Sequence, residues 1–327
     1  MRIAIPLSFT PEASRPRPGR LVRLSGPTMG VTWTLAAVAP DAVVDEALRA
    51  AVQGACDLVV GQMSSWEPLS DLSRYNAASP GAWFDAPEPL LRVVRAGLAV
   101  AQLSDGAFDP TMGEVVDLWG FGAWTAGLRP PAADRLALAA QGWRDLLIEE
   151  GRILQPGGLR LDLSGIAKGY GVDLAAQSVV RLGVRDLLIE IGGELRGLGV
   201  RPSGEPWWVD LERPPEADLA DPPIRVALHE LSVATSGDWR RQFSHAGRRY
   251  SHTIDPRTRE PVQSRLAQVS VLHESCMQAD ALCTALAVKG EAAEAFAADH
   301  GVAACFLWRE EVWRETVSPA LAALLGD

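Results

Sequence analysis

Between residues 187 and 273 short apolar segments follow one another with turns between them and no intervening helix, and this run limits the fold more than any other feature. LLIEIGG (187–193), WWVDLE (207–212), IRVALH (224–229), LSVAT (231–235) and AQVSVLH (267–273) are rich in aliphatic and β-branched residues and read as strands. RRQFSHAGRRYSHTID (240–255) reads as a hairpin folded about Ala246-Gly247. Long helical periodicities stand on either side of the run. Neighbouring strands interrupted by long helices predict an α+β layout rather than strict βαβ winding.

The helices follow from spacing. VTWTLAAVA (31–39) is strand-like and runs to Asp41, read as an N-cap. Val44, Leu48, Ala51, Val52, Ala55 and Leu58 then recur at helical intervals to about Gly61. SSWEPLSDLSRYN reads as a polar turn. A second helix over 88–103 carries Leu90, Leu91, Val94, Leu98 and Ala101 on one side, and SDGAFDPTMG (104–113) is a loop by its Gly, Asp and Pro content. A further helix is expected over 130–140. LRLDLSG (159–165) reads as a strand opening into a helix of small residues that ends near Gly183. After AQVSVLH come a helix to Lys289, a short helix to His300 and the strand VAACFLW (302–308). ERPPEADLADPP (212–223) is a Pro-rich acidic surface loop. Residues 1–20 read as a disordered Pro/Arg-rich tail, and 21–327 as one domain.

Composition removes several classes of function. Lys and Arg number 31 against 41 Asp and Glu, a net charge of -10, which argues against a general nucleic-acid binder. No apolar run approaches the roughly 18–20 residues of a membrane-spanning helix. Cys56, Cys276, Cys283 and Cys305 lack CxxC spacing and read as small buried hydrophobes rather than disulfide or zinc ligands. Taken as written, the start offers no signal peptide or lipoprotein cysteine, so the expectation is a cytoplasmic protein, or a periplasmic one if the native start differs.

Four local patterns offer chemistry, and each has a plain structural reading beside it. Asp280 and Thr284 lie four apart on a helix with Cys283 next to them, giving hard oxygen donors of the kind Mg²⁺ prefers; a cap or a solvated face fits equally. In LDLSGIAKG (161–169), Gly165 and Gly169 admit a close approach and Lys168 adds a cation, although no GxxxxGK[ST] loop is present. Tight helix packing explains the same residues. His252 is available as a proton acceptor or as an exposed hairpin residue. The loop at 104–113 offers Phe108 and Asp109 to a flat polar ligand, or is merely a turn.

Ordered series carry more than single motifs. TMG (28–30), MSSW (63–66), DLSRYN (71–76), GAFDPT (106–111), LWGFG (118–122), LDLSGIAKGY (161–170), IGGE (191–194), ATSGDW (234–239), SHTIDPRT (251–258) and ADALCT (279–284) stand in that order. This resembles the FAD:protein FMN transferases of the ApbE family, over roughly residues 21–310.

The resemblance implies an ApbE-like (T-fold-like) α+β fold, with sheets flanked by helices and a flavin cleft between two lobes. It implies FAD as substrate, Mg²⁺ as cofactor, and a target flavoprotein whose Thr or Ser hydroxyl, in a short Asp-Gly-x-Thr-like sequence, receives FMN as AMP departs. Met29, Trp66, Ala107, Phe108, Asp109, Asp162, Lys168 and Ile254 would line the FAD site. Gly165 through its carbonyl, Asp280, Cys283 and Thr284 would surround the metal. Catalysis would fall to His252, Lys168 and Asp280. Trp66 replaces the Tyr common in the family, Cys283 an Ala or Asp, and Arg259 the Gly usual after DPRT. An FAD pyrophosphatase or a flavin-binding protein without turnover would use the same pocket.

Overall fold

The computed structural model describes residues 2–124 and 127–326. In VTWTLAAVA alternation puts Trp33, Leu35, Ala37 and Ala39 toward one face, and Ala36 and Val38 toward the other; all six are buried. A strand apolar on both faces needs a layer on each. Trp33 also donates from Nε1 to Gln53 Oε1 at 2.8 Å, fastening the helix above it.

The resulting sheet has eight strands: β1 (Arg20–Thr28), β2 (Val31–Ala39), β3 (Asp186–Ile191), β4 (Glu194–Leu198), β5 (Leu231–Gly237), β6 (Leu266–His273), β7 (Ala303–Trp308) and β8 (Arg314–Val317). They lie side by side in chain order and every neighbouring pair is antiparallel. The α+β expectation holds.

One face is covered by α1 (Asp45–Met63), α3 (Ala167–Arg181) and α4 (Cys276–Lys289), with α2 (Glu88–Leu103) packed on α4. α3 packs between α1 and α4, and α4 rests on β5 and β6. Against the other face lie a small sheet of Ile3–Ala4, Arg225–Leu228 and Trp207–Asp210 and the helix Pro319–Leu325. A separate apolar cluster gathers Met112, Val115, Trp119, Phe121, Phe243 and Ile254. Its hairpin, Gln242–His245 with Arg248–Ser251, turns at Ala246 and Gly247, whose φ values of 48° and 76° match the reading from sequence.

Several expectations are corrected. The predicted tail over 1–20 is anchored: Ile3–Ala4 pairs parallel with Arg225 and Val226, Ala4 is wholly buried, and the Ile5 N–H donates to the Leu324 carbonyl at 2.9 Å. Asp41 caps nothing, because α1 begins at Asp45 behind Val44. The polar turn contains a helix, Asp71–Asn76, capped by Ser70 accepting from the Ser73 N–H. LRLDLSG is not a strand: among the described residues it makes one isolated bridge, Arg160 with Met112, and turns at 164–166, its leucines buried in the core beside helical residues.

Candidate active site

The contact between α3 and α4 forms the centre of the site. A Cβ on Gly169 would stand 2.3 Å from the Cys276 carbonyl oxygen and 2.8 Å from Asp280 Cβ, so only glycine allows this approach. The Gly169 N–H consequently donates to Asp280 Oδ2 at 3.0 Å. One turn along α3, the buried Asp173 carboxylate accepts from Ser275 Oγ (2.8 Å) and from the N–H groups of Cys276 (3.0 Å) and Met277 (3.1 Å), and pairs with Arg196. The Cys276 and Met277 donors are free N–H groups at the start of α4. Asp173 and Gly169 together therefore fix how α4 presents Asp280 and Thr284.

Gly165 closes the arrangement. A Cβ there would lie 2.8 Å from Thr284 Oγ1 and 3.3 Å from the Phe108 ring. The strand-to-helix bend at 165–168 and the middle of α4, far apart in sequence, are thus in contact. Phe108 also lies against Gly97 of α2, which seats its ring in the core.

Charge is concentrated here. Lys168 Nζ donates to Glu194 Oε1 at 2.5 Å. Glu194 is 2% exposed, and among the described residues its Oε2 has no hydrogen-bond partner. Burial works against the Lys168 ammonium, but Glu194 and then Asp280 outweigh it and raise its pKa above the ordinary lysine value. An ion pair alone would lower Glu194; burial instead pushes it up to about 7 against the pull of Lys168, with Asp280 adding to the rise. Burial raises Asp280 as well, opposed by Lys168 and the Gly169 N–H. Two buried carboxylates share one ammonium, so the cluster favours a further positive charge.

His252 directly follows the hairpin, its ring edge-on to Phe121. Its Nδ1 is 3.2 Å from the Arg241 carbonyl, which can only accept, so Nδ1 carries the proton and Nε2 keeps its lone pair. Burial first, and then the charge on Arg241, lower its pKa to about 4, with Lys168 contributing to the same effect. The imidazole is neutral at pH 7.

The remaining predicted residues are distributed less evenly. Met29, at φ 47° in the two-residue turn between β1 and β2, brings its Cε within 3.4 Å of where a Gly171 Cβ would stand. Ala107 and Ile254 are buried. Asp109 Oδ1 accepts from the Thr111 N–H (2.8 Å) and Oγ1 (2.6 Å), and burial raises its pKa. Asp162 accepts from the Ser164 N–H (2.8 Å) while its own N–H donates to the Pro110 carbonyl (2.8 Å), tying the two loops together. Trp66 is 62% exposed. The Cys283 thiol points into the sheet, donating to the Ala234 carbonyl at 3.1 Å, which leaves only its main chain for a ligand. Arg259 adopts φ 60°, the left-handed region where the family's Gly is at ease, and is tethered by donating from Nη1 to the carbonyls of Leu136 and Ala137.

Glu194 and Asp173 received no role from the sequence. Each left a faint signal: an acid directly after Gly192-Gly193 at the head of an apolar strand, and an acid inside a helix of small residues.

Among the described residues no three His, Cys, Asp or Glu side chains group around one point. What the structure brings together is Gly165 against the Thr284 hydroxyl, with Asp280 four residues before Thr284 on α4; oxygen donors of this kind are what Mg²⁺ takes, completing its shell with water and phosphate oxygens.

The model of the ApbE family matches residues 29–306. The FAD:protein FMN transferase of Vibrio cholerae is 37% identical over 279 residues, 84% of this chain and 83% of that protein. Among solved structures, the apo flavinyl transferase ApbE of Pseudomonas stutzeri superposes with a TM-score of 0.88 at 37% identity, covering 94% of this chain and 98% of that one. The flavin transferase ApbE of Vibrio cholerae gives 0.85 at 33% identity, with 94% and 99% covered. Fold, ordered motifs and relatives agree: the chain belongs to the ApbE family.

Proposed function

We propose that this chain transfers the FMN half of FAD to a Thr or Ser hydroxyl of a target flavoprotein, with Mg²⁺ and with release of AMP. The observation that carries the reading is the convergence of Gly165, Lys168, Asp280 and Thr284 on a buried cluster deficient in positive charge. A dinucleotide's diphosphate cannot enter such a place without cations. Gly165 through its carbonyl, Asp280 and Thr284 would hold Mg²⁺, with Cys283 contributing at most its carbonyl. When bound there, Mg²⁺ supplies neutralisation of the diphosphate and of the charge that develops on it.

In the reaction the acceptor oxygen attacks the phosphorus on the FMN side. A new P–O bond forms to the acceptor, the P–O bond to the AMP phosphate breaks, and AMP leaves with the bridging oxygen. His252 Nε2 takes the hydroxyl proton, for which its neutral state suits it. Lys168 faces the diphosphate with its ammonium. Met29, Trp66, Ala107, Phe108, Asp109, Asp162 and Ile254 shape the surroundings of the flavin and adenine rings. Positioning and charge stabilisation account for most of the acceleration, as in phosphoryl transfer generally.

The test mixes the protein with FAD, Mg²⁺ and an acceptor peptide carrying Asp-Gly-x-Thr, then looks for flavin fluorescence on the peptide in a denaturing gel. A fluorescent peptide supports transfer. Free FMN and AMP beside a dark peptide would replace transfer with hydrolysis.

A further inference from the structure

Among the chain's 31 basic residues only Lys168 and Lys289 are lysines. Lys289 lies over the Phe296 ring, Nζ 4.4 Å from its centroid, away from the carboxylate pair. Lys168 pairs with Glu194 and directly precedes Gly169, whose N–H holds Asp280. An ammonium is a compact point charge on a flexible stem, able to swing between two carboxylates, whereas a guanidinium is a rigid fork. The position of this charge therefore has to be decided by something else. If it closed onto Asp280 it would neutralise the one carboxylate of the proposed cation cradle and compete with a metal for it.

We propose that Glu194 is a positioning residue that holds the Lys168 ammonium away from Asp280 and so keeps that carboxylate free for Mg²⁺. Three observations carry this. Glu194 takes the ammonium at 2.5 Å from the start of β4, while Asp280 is held separately by the Gly169 N–H. Glu194 is 2% exposed, and among the described residues Lys168 is the one other side chain that donates to its carboxylate, on Oε1, while Oε2 has no partner. Lys168 directly precedes Gly169, whose N–H holds Asp280 Oδ2, so the stem of the ammonium starts one residue from that carboxylate, which is the ready alternative. The inference rests on the Mg²⁺ cradle of the reading above, not on the transfer step.

Mg²⁺ binding to the full chain is measured by titration calorimetry in wild type, Glu194→Gln, Lys168→Ala and the double variant. Glu194→Gln should weaken binding by about 10–100-fold, the usual effect of losing a group that supports a metal ligand. In the Lys168→Ala background the same change should have only a small part of that effect, because no ammonium remains to close onto Asp280. Glu194→Asp, which keeps the charge but shortens the reach, should fall between and serves if Glu194→Gln does not fold. A second readout needs no metal. Lysine labelled with ¹³C at Cε gives two side-chain signals, assigned by Lys289→Arg, and Asp280→Asn should move the Lys168 signal further in Glu194→Gln than in wild type. Equal weakening with and without Lys168, or no weakening, would overturn the inference. Wild type binding no Mg²⁺ would sink it together with the cradle. A wild type that binds Mg²⁺ with this dependence yet attaches no FMN would sink only the transferase reading.

Discussion

Asp280 lies inside the protein and is held by the Gly169 N–H at 3.0 Å, whereas Trp66, the side chain expected to stack on a ring of FAD, is 62% exposed on a loop. The two belong to one proposed site but are built differently. Around Asp280 every group is fixed from another element: Gly169 from α3, Thr284 against Gly165, Lys168 against Glu194, and α4 itself through Asp173. On the ring side, Asp109 and Asp162 are engaged in shaping their own loops. The difference is what charge and stacking each require. Electrostatic stabilisation works only with groups already oriented in a dry place, while a stacking platform can be completed by the ligand it meets.

That contrast can be broken from its buried side first. Asp280→Ala should lower FMN transfer by about 10²–10³-fold, the scale of removing one preorganised charge-stabilising group; single-turnover labelling of the peptide measures it. Gly169→Ala should approach that loss by wedging α3 from α4, and should also lower stability by about 1–3 kcal/mol in a denaturant titration, as overpacking does. His252→Ala should slow transfer by about 10²-fold, in the range of a lost general base. In wild type this base is neutral above about pH 4, so its contribution persists through neutrality and disappears as pH falls through that value. Its linkage to folding has the same sign: because the folded pKa lies below the unfolded one of about 6.5, the stability it contributes is complete above 6.5 and is lost as pH falls toward 4.

From the exposed side the effects should be smaller. Trp66→Ala should raise the KM for FAD by roughly tenfold, the lower end of what losing an aromatic stacking partner does, and change kcat little. Cys283→Ala should reduce transfer far less than Asp280→Ala and cost about 1 kcal/mol of stability, an ordinary price for a small buried side chain. Equal, complete loss in both would place the thiol itself in the chemistry.

Legibility in the sequence followed the same division between strong and weak local signals. The helix over 88–103 was readable to the residue because Leu90, Leu91, Val94 and Ala101 fall on one face between Pro87 and Ser104. The hairpin was readable because Ala246-Gly247 is flanked by strand-formers. β1 was not, since most of Arg20–Thr28 is exposed or half-buried and it includes Gly26 and Pro27. Ile3–Ala4 was hidden because two residues make a strand only when Arg225–Leu228 is there to pair with them. Within the site, Lys168, Asp280 and Thr284 could be named from the ordered motifs. What joins them could not: the approach at Gly169, the cap by Asp173 and the hold of Glu194 on Lys168 are long-range contacts, and no periodicity encodes them.

The most direct test of the central claim is a stoichiometry. With FAD, Mg²⁺ and the acceptor peptide, intact-mass analysis and AMP quantification should show the peptide heavier by one FMN less one water, one AMP released per peptide labelled, and both products forming about 10²–10³-fold more slowly with Asp280→Ala. AMP and free FMN accumulating over an unlabelled peptide, or labelling by Asp280→Ala at the wild-type rate, would contradict it.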